Sequence, residues 1–281
     1  MTQFQSARAQ ARASSWLLFA SLAVVSYAAL NGVSGLFPGD RTGAIIGRAA
    51  CSLAIVALLL AGSSALLKRD NLPADRFGLT PTPAHARAFL LGCLGACLVM
   101  AVLIGALYVV LPFEWQRGSR SIHDVGLAGA NYLIGNSAEE LLFRGYAFIA
   151  LARAVGTTRA LWLLALPFGL SHAPGLDAMA LGKMILTTGA MHFVFAYAYL
   201  GTRSMWAAIA LHALANVLLH AVSGFGQGTS AFDIVLHRPL PTSFDLPFTV
   251  FLFSAAAVAL LMSRLPAVRR GAGWLEGAEP R

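Results

Sequence analysis

Glu139 and Glu140 stand side by side within Val125–Leu151, a stretch that otherwise reads as a membrane-spanning helix. The chain has twelve acidic residues, and only this pair lies well inside an apolar span, the rest falling in loops or at span edges. A carboxylate at the centre of a bilayer costs about 2.5–3.5 kcal/mol even on the most lenient scale, and such residues face a protein interior or a cavity. Helical spacing divides the pair. Glu140 and Arg144 are four residues apart and face each other along one helix, which neutralises both charges. The same pair would serve equally as a structural brace. Glu139 is turned by about 100° and cannot share that partner. His212 and Asn216 repeat the four-residue spacing, so one helix face presents an imidazole and an amide together, and His220 continues that face. His172 closes a short apolar segment. A free carboxylate, two imidazoles and an amide suit general acid–base chemistry and stabilisation of an oxyanion. They equally suit hydrogen bonding between helices.

These groups must be held by helices. The 281 residues are 58% hydrophobic and only 11% charged, against about 25% charged in soluble domains. The expectation is an all-α polytopic membrane bundle of about eight transmembrane helices: Trp16–Leu36, Thr42–Leu67, Ala88–Leu111, Val125–Leu151, Ala160–Ser171, Ala178–Leu200, Met205–Ser223 and Phe244–Leu265. Ala160–Ser171 is short and runs into Ser171-His172-Ala173-Pro174-Gly175. It reads as a helix that ends within protein, because broken backbone at membrane depth needs protein or a cavity around it.

The net charge of +8 follows this topology. Of twenty Lys and Arg, thirteen fall on the side that holds both termini, four on the other side, and Arg48, Arg144 and Lys183 within spans. The positive-inside rule then places both termini in the cytoplasm. Nucleic acid is excluded as a partner, and the lipid bilayer is the expected one. Arg48 and Lys183 lie near span ends and snorkel to the interface. Cys51, Cys93 and Cys97 fall in apolar spans and read as small packing residues. The N-terminal apolar run reads as an uncleaved first span.

At ~1.5 Å per helical residue, Glu139 and Glu140 lie ~16–18 Å from the cytoplasmic end of their span, His172 ~19 Å, His212 ~12 Å, Asn216 ~18 Å and His192 ~12 Å. Side chains from separate helices thus share one layer, as around a polar cavity. His192, between aromatic neighbours, reads as a buried structural histidine.

The ordered set Glu139-Glu140-x-x-x-Arg144, Phe168-x-x-x-His172 and His212-x-x-x-Asn216 resembles the CPBP family. These are the CAAX-prenyl-protease-2-like and bacteriocin-processing intramembrane proteases, also called the abortive-infection family. Leu142-Phe143-Arg144-Gly145 and Tyr199-Leu200-Gly201-Thr202-Arg203-Ser204-Met205-Trp206 carry the likeness further. It covers residues 125–223, the expected catalytic core, flanked by three N-terminal spans (1–124) and a loop, last span and tail (224–281). The resemblance implies a glutamate-dependent endopeptidase acting on a membrane-associated protein or peptide, whether CAAX-type or peptide-maturation. Glu139 and His172 would activate water, His212 and Asn216 would hold the oxyanion, and Glu140 and Arg144 would support the site. No cofactor is then expected. The alternative is a zinc protease using Glu139, His172 and His212, one carboxylate and two histidines being a zinc ligand set, although His-Glu-x-x-His is missing. A transporter or an inert immunity protein is the non-enzymatic alternative. The expected location is a multi-pass cell membrane, the inner one if the source is bacterial.

Overall fold

Three of the helices begin where a side chain partners the first free N–H groups. In the computed structural model, which describes residues 3–37, 42–172, 177–224, 230–237 and 246–277, α1 runs over Gln3–Leu36, α2 over Thr42–Arg69 and α3 over Pro83–Val110. The Thr82 side chain accepts from the His85 N–H at the start of α3, with Pro83 in the first turn. Strand β1 (Phe113–Arg117) precedes α4 (Ile122–Arg144), which opens with a capping box between Ser121 and Asp124. Then come α5 (Tyr146–Val155), α6 (Thr157–Ser171) and α7 (Ala178–Thr202), the last capped by the Asp177 carboxylate. The α8 helix (Met205–Asn216) passes into a π-helical turn, Val217–Val222. Strands β2 (Ser223–Gly224) and β3 (Phe232–Leu236) and helices α9 (Leu246–Arg264) and α10 (Pro266–Glu276) complete the described chain.

The polytopic helical bundle is therefore present. Among the described residues, six helical stretches are long and apolar enough to cross a membrane: Ala13–Val33, Ile46–Arg69, Pro83–Val110, Ala178–Thr202, Met205–Val222 and Leu246–Arg264. The other two expected spans differ from a simple crossing. Val125–Leu151 is two helices, because the chain breaks at Gly145, where a Cβ would run into the Leu141 carbonyl. The second, α6, has only 15 residues. These two segments carry Glu139, Glu140, Arg144 and His172. The Ala173-Pro174-Gly175 stretch, the expected start of the last span at Phe244, and Arg41, Arg238 and Arg281 lie outside the described residues. A small sheet in the order β1-β3-β2 adds to the helices, with β1 and β3 antiparallel from Phe113 opposite Leu236 to Arg117 opposite Phe232. One-sided burial explains it: Phe113 is buried beside Leu107 and Ile234, while the rest of β1 is exposed.

Large apolar side chains face outward on the membrane helices, among them Leu17 and Val24 on α1, Leu90 and Leu94 on α3, and Leu260 and Leu261 on α9. Water would penalise such a surface, and lipid does not. The interior is tightened by small residues. Ala88, Gly92 and Ala96 recur every four residues along α3 and are buried. Small residues at this spacing let membrane helices approach closely, and α3 lies against Ala207, Ala210 and Leu211 of α8. A Cβ at Gly92 would strike the Ala207 carbonyl and come within 2.9 Å of the Ala210 methyl. Gly92→Ala should therefore lower unfolding free energy by about 1–3 kcal/mol, measured as a loss of thermal or denaturant stability in detergent.

Candidate active site

The polar residues of the site arrive from four helical segments. Glu139, Glu140 and Arg144 lie in the last two turns of α4, His172 directly follows α6, His192 sits in the middle of α7, and His212 and Asn216 lie on the second half of α8. Glu140 and Arg144 are wholly buried, both side chains at 0% exposure. The Arg144 Nη1 donates to Glu140 Oε1 at 3.2 Å, and His212 Nδ1 meets the same oxygen at 2.8 Å. The Arg144 Nη2 donates to the His192 carbonyl at 2.8 Å and lies 3.0 Å from its Nδ1. Two charges and two imidazoles from α4, α7 and α8 thus form one buried network.

Glu139 faces elsewhere, as the 100° offset requires. Its side chain is 33% exposed, and its Oε2 is nevertheless buried. That oxygen lies 3.3 Å from His172 Nε2 and 3.9 Å from His212 Nε2. Both imidazoles are oriented from behind. The His172 Nδ1 is 2.8 Å from the Phe168 carbonyl, an acceptor only, so Nδ1 carries the proton. The His212 Nδ1 likewise donates to the Glu140 carboxylate. Both Nε2 atoms are thereby turned toward Glu139.

Aromatic rings wall the site. The Phe168 ring lies 4.7 Å from the Arg144 guanidinium carbon, with ring centroids 4.8 Å from His172, 5.3 Å from His192 and 6.0 Å from His212. The His212 ring stacks on Phe195 at 4.1 Å. At the end of α6, the Tyr27 hydroxyl of α1 donates to the Ser171 carbonyl, next to His172.

Of the residues expected to share a site, Glu139, Glu140, Arg144, His172 and His212 are in direct contact. Asn216 lies one turn beyond His212, half-buried, with no side-chain hydrogen bond among the described residues. His192 is buried, as expected, and it also holds Arg144. Asn136, missed in the sequence, lies one turn before Glu140 and is buried with its Nδ2 unpartnered. Its spacing from Glu140, the mirror of Asn216 from His212, is the signal that could have found it.

A carboxylate whose Oε2 is buried between two oriented histidines, in a membrane helical bundle, is suited to general acid–base chemistry. Residues 121–218 match the family model described as Type II CAAX prenyl endopeptidase Rce1-like. Over this segment, about a third of the chain, the protein is similar to a family of endopeptidases, in agreement with the CPBP resemblance of its motifs. The segment contains Asn136 and all seven polar residues placed at the site. No curated protein and no solved structure matches the chain.

Removing one member of a buried ion pair leaves the other charge uncompensated. Arg144→Met should cost about 3–5 kcal/mol of stability, and the double variant Glu140→Gln, Arg144→Met should recover most of it. Unfolding of the three proteins in detergent measures both effects.

Proposed function

We propose that this protein is an intramembrane endopeptidase that hydrolyses a peptide bond of a membrane-associated protein or peptide, CAAX-type substrates being the class the family model suggests. The observation that carries the reading is the convergence of Glu139 Oε2 with the Nε2 atoms of His172 and His212. A water held between Glu139 and His172 loses a proton to that pair as its oxygen attacks the peptide carbonyl. The same pair returns the proton to the leaving amine. His212 donates from Nε2 to the oxyanion while Glu140, on Nδ1, stabilises the imidazolium that this requires. Asn216 offers a second donor, its amide having no other partner among the described residues. Arg144 and His192 fix Glu140 and so fix the orientation of His212. Nucleophilic serine or cysteine has no part in this chemistry.

The second reading is a zinc hydrolase, and one observation favours it. The ligand-capable atoms of Glu139, His172 and His212 all lie within 4.8 Å of one another, and each histidine has its other nitrogen held by an oxygen, as metal-bound histidines usually do. Donors around a tetrahedral zinc stand ~3.4 Å apart, as its bond lengths require, so the three residues fit such an ion after a small contraction. There zinc would supply Lewis-acid polarisation and acidify a bound water.

Two experiments test the readings. Glu139→Gln should reduce cleavage of a membrane-presented peptide to background while leaving thermal stability intact, and His212→Ala should lower the rate by about 10²–10³. Undiminished cleavage by Glu139→Gln would refute the assignment of the reaction to Glu139 and its two histidines. In the presence of a strong chelator the purified protein should keep its activity; complete loss, restored by added zinc, would establish the metal reading instead.

A further inference from the structure

His172 hangs from the last peptide group of α6, and α1 holds that group. The Ser171 carbonyl and the His172 N–H belong to one planar trans peptide and point in opposite directions. The N–H turns back into the helix and donates to the Gly169 carbonyl at 3.2 Å. The carbonyl points out of the helix end, where the last C=O groups have no intrahelical partner. There the Tyr27 hydroxyl donates to it. At membrane depth no water replaces such a donor. Tyr27 is half-buried and is anchored through its own helix. Trp16 lies three turns earlier on the same side of α1, its ring 5.3 Å from that of Tyr146 at the start of α5. Ser15 beside it donates to Asp70, the residue after α2, at 2.7 Å, and the Tyr146 hydroxyl donates to the other oxygen of that carboxylate. Helix α1 is thus fixed near its cytoplasmic end and reaches the end of α6 with Tyr27.

We propose that Tyr27 is a positioning residue for His172: its hydroxyl fixes the peptide plane from which the imidazole departs, and so keeps Nε2 on Glu139. This rests on the endopeptidase reading and adds to it a residue from outside the segment 121–218 that matches the family model. The imidazole is tied at Nδ1 to the Phe168 carbonyl, one turn back on α6. Ring and backbone therefore move together when the last turn of α6 loosens, and helix ends fray readily. Glu139 stands on α4 and does not follow that movement. The His172 Nε2 is 3.3 Å from Glu139 Oε2, already near the outer limit of a hydrogen bond, so the contact has no slack to lose. Tyr27 touches no reacting atom. It acts through the backbone of Ser171.

The test compares Tyr27→Phe, which keeps the ring and deletes the hydroxyl, with para-aminophenylalanine at position 27, which restores a donor in the same place. Cleavage of a fluorogenic farnesylated CAAX peptide is followed in detergent. In parallel, NMR of the histidine-labelled full chain follows the His172 ring signals, identified as those lost in His172→Gln. Tyr27→Phe should lower kcat about 10–10²-fold, the cost of a misplaced catalytic group, with KM unchanged and Tm lowered by no more than about 2–4 °C. The His172 signals should shift or broaden, and para-aminophenylalanine should restore both kcat and the signals. A kcat untouched by Tyr27→Phe, a rise in KM with kcat kept, His172 signals indifferent to the variant, or a loss that the restored donor does not repair overturns the proposal. If the unaltered protein cleaves no peptide, His172 signals that respond to Tyr27→Phe and return with para-aminophenylalanine support the positioning role and remove the endopeptidase reading alone.

Discussion

The structure depends on how one oxygen atom is shared. Glu140 Oε1 accepts from Arg144 and from His212 at once, so a single buried carboxylate joins α4 to α8 and, through Arg144 and His192, to α7. Taking such a charge out of water costs several kcal/mol before any partner repays it. The cost is met only when all three helices have docked. Electrostatics thereby acts as a check on assembly: a misplaced α7 or α8 leaves a bare charge at membrane depth. The arrangement around Glu139 is then built on the back of this network, because the nitrogen of His212 that Glu140 holds determines which nitrogen is left for Glu139.

Packing reinforces the same arrangement through Phe168. Its ring touches the guanidinium of Arg144 and three imidazoles, so one rigid aromatic plane sets the spacing among groups that could otherwise drift. Its carbonyl also accepts a hydrogen bond from the His172 Nδ1–H. One residue of α6 thus contributes through its ring and through its backbone, and both act on nitrogen positions that must be held to a fraction of an ångström.

Much of this was legible from spacing because helices convert sequence distance into direction. Four residues put Glu140 against Arg144; one residue turned Glu139 away; matching depths placed His172 and His212 in the same layer. What stayed hidden depends on how helices pair, which no single segment encodes. The register that sets His212 opposite Glu140, and His220 against Tyr132, follows from antiparallel docking. The contact of His192 with Arg144 joins residues 48 apart, and its aromatic neighbours pointed only to burial. The break at Gly145 was missed because the apolar run continues across it, and hydropathy does not register a carbonyl that leaves no room for a Cβ. Among the described residues six helical stretches are long and apolar enough to cross a membrane where eight spans were expected, since the two segments leading to Arg144 and to His172 are broken at Gly145 or short.

The far end of α6 is finished by residues of α10. The Thr157 N–H donates to the Glu276 carboxylate at 2.6 Å, and the Arg153 Nε donates to the Leu275 carbonyl at 3.0 Å. The glycine at the N-cap of α6, Gly156, has no side chain to do this. Synthesis proceeds from the N-terminus, so the helix that leads to His172 emerges more than a hundred residues before the carboxylate that caps it. Order of assembly is thus written into the contacts: the first turn of that helix is completed only after α7, α8 and α9 have been synthesised.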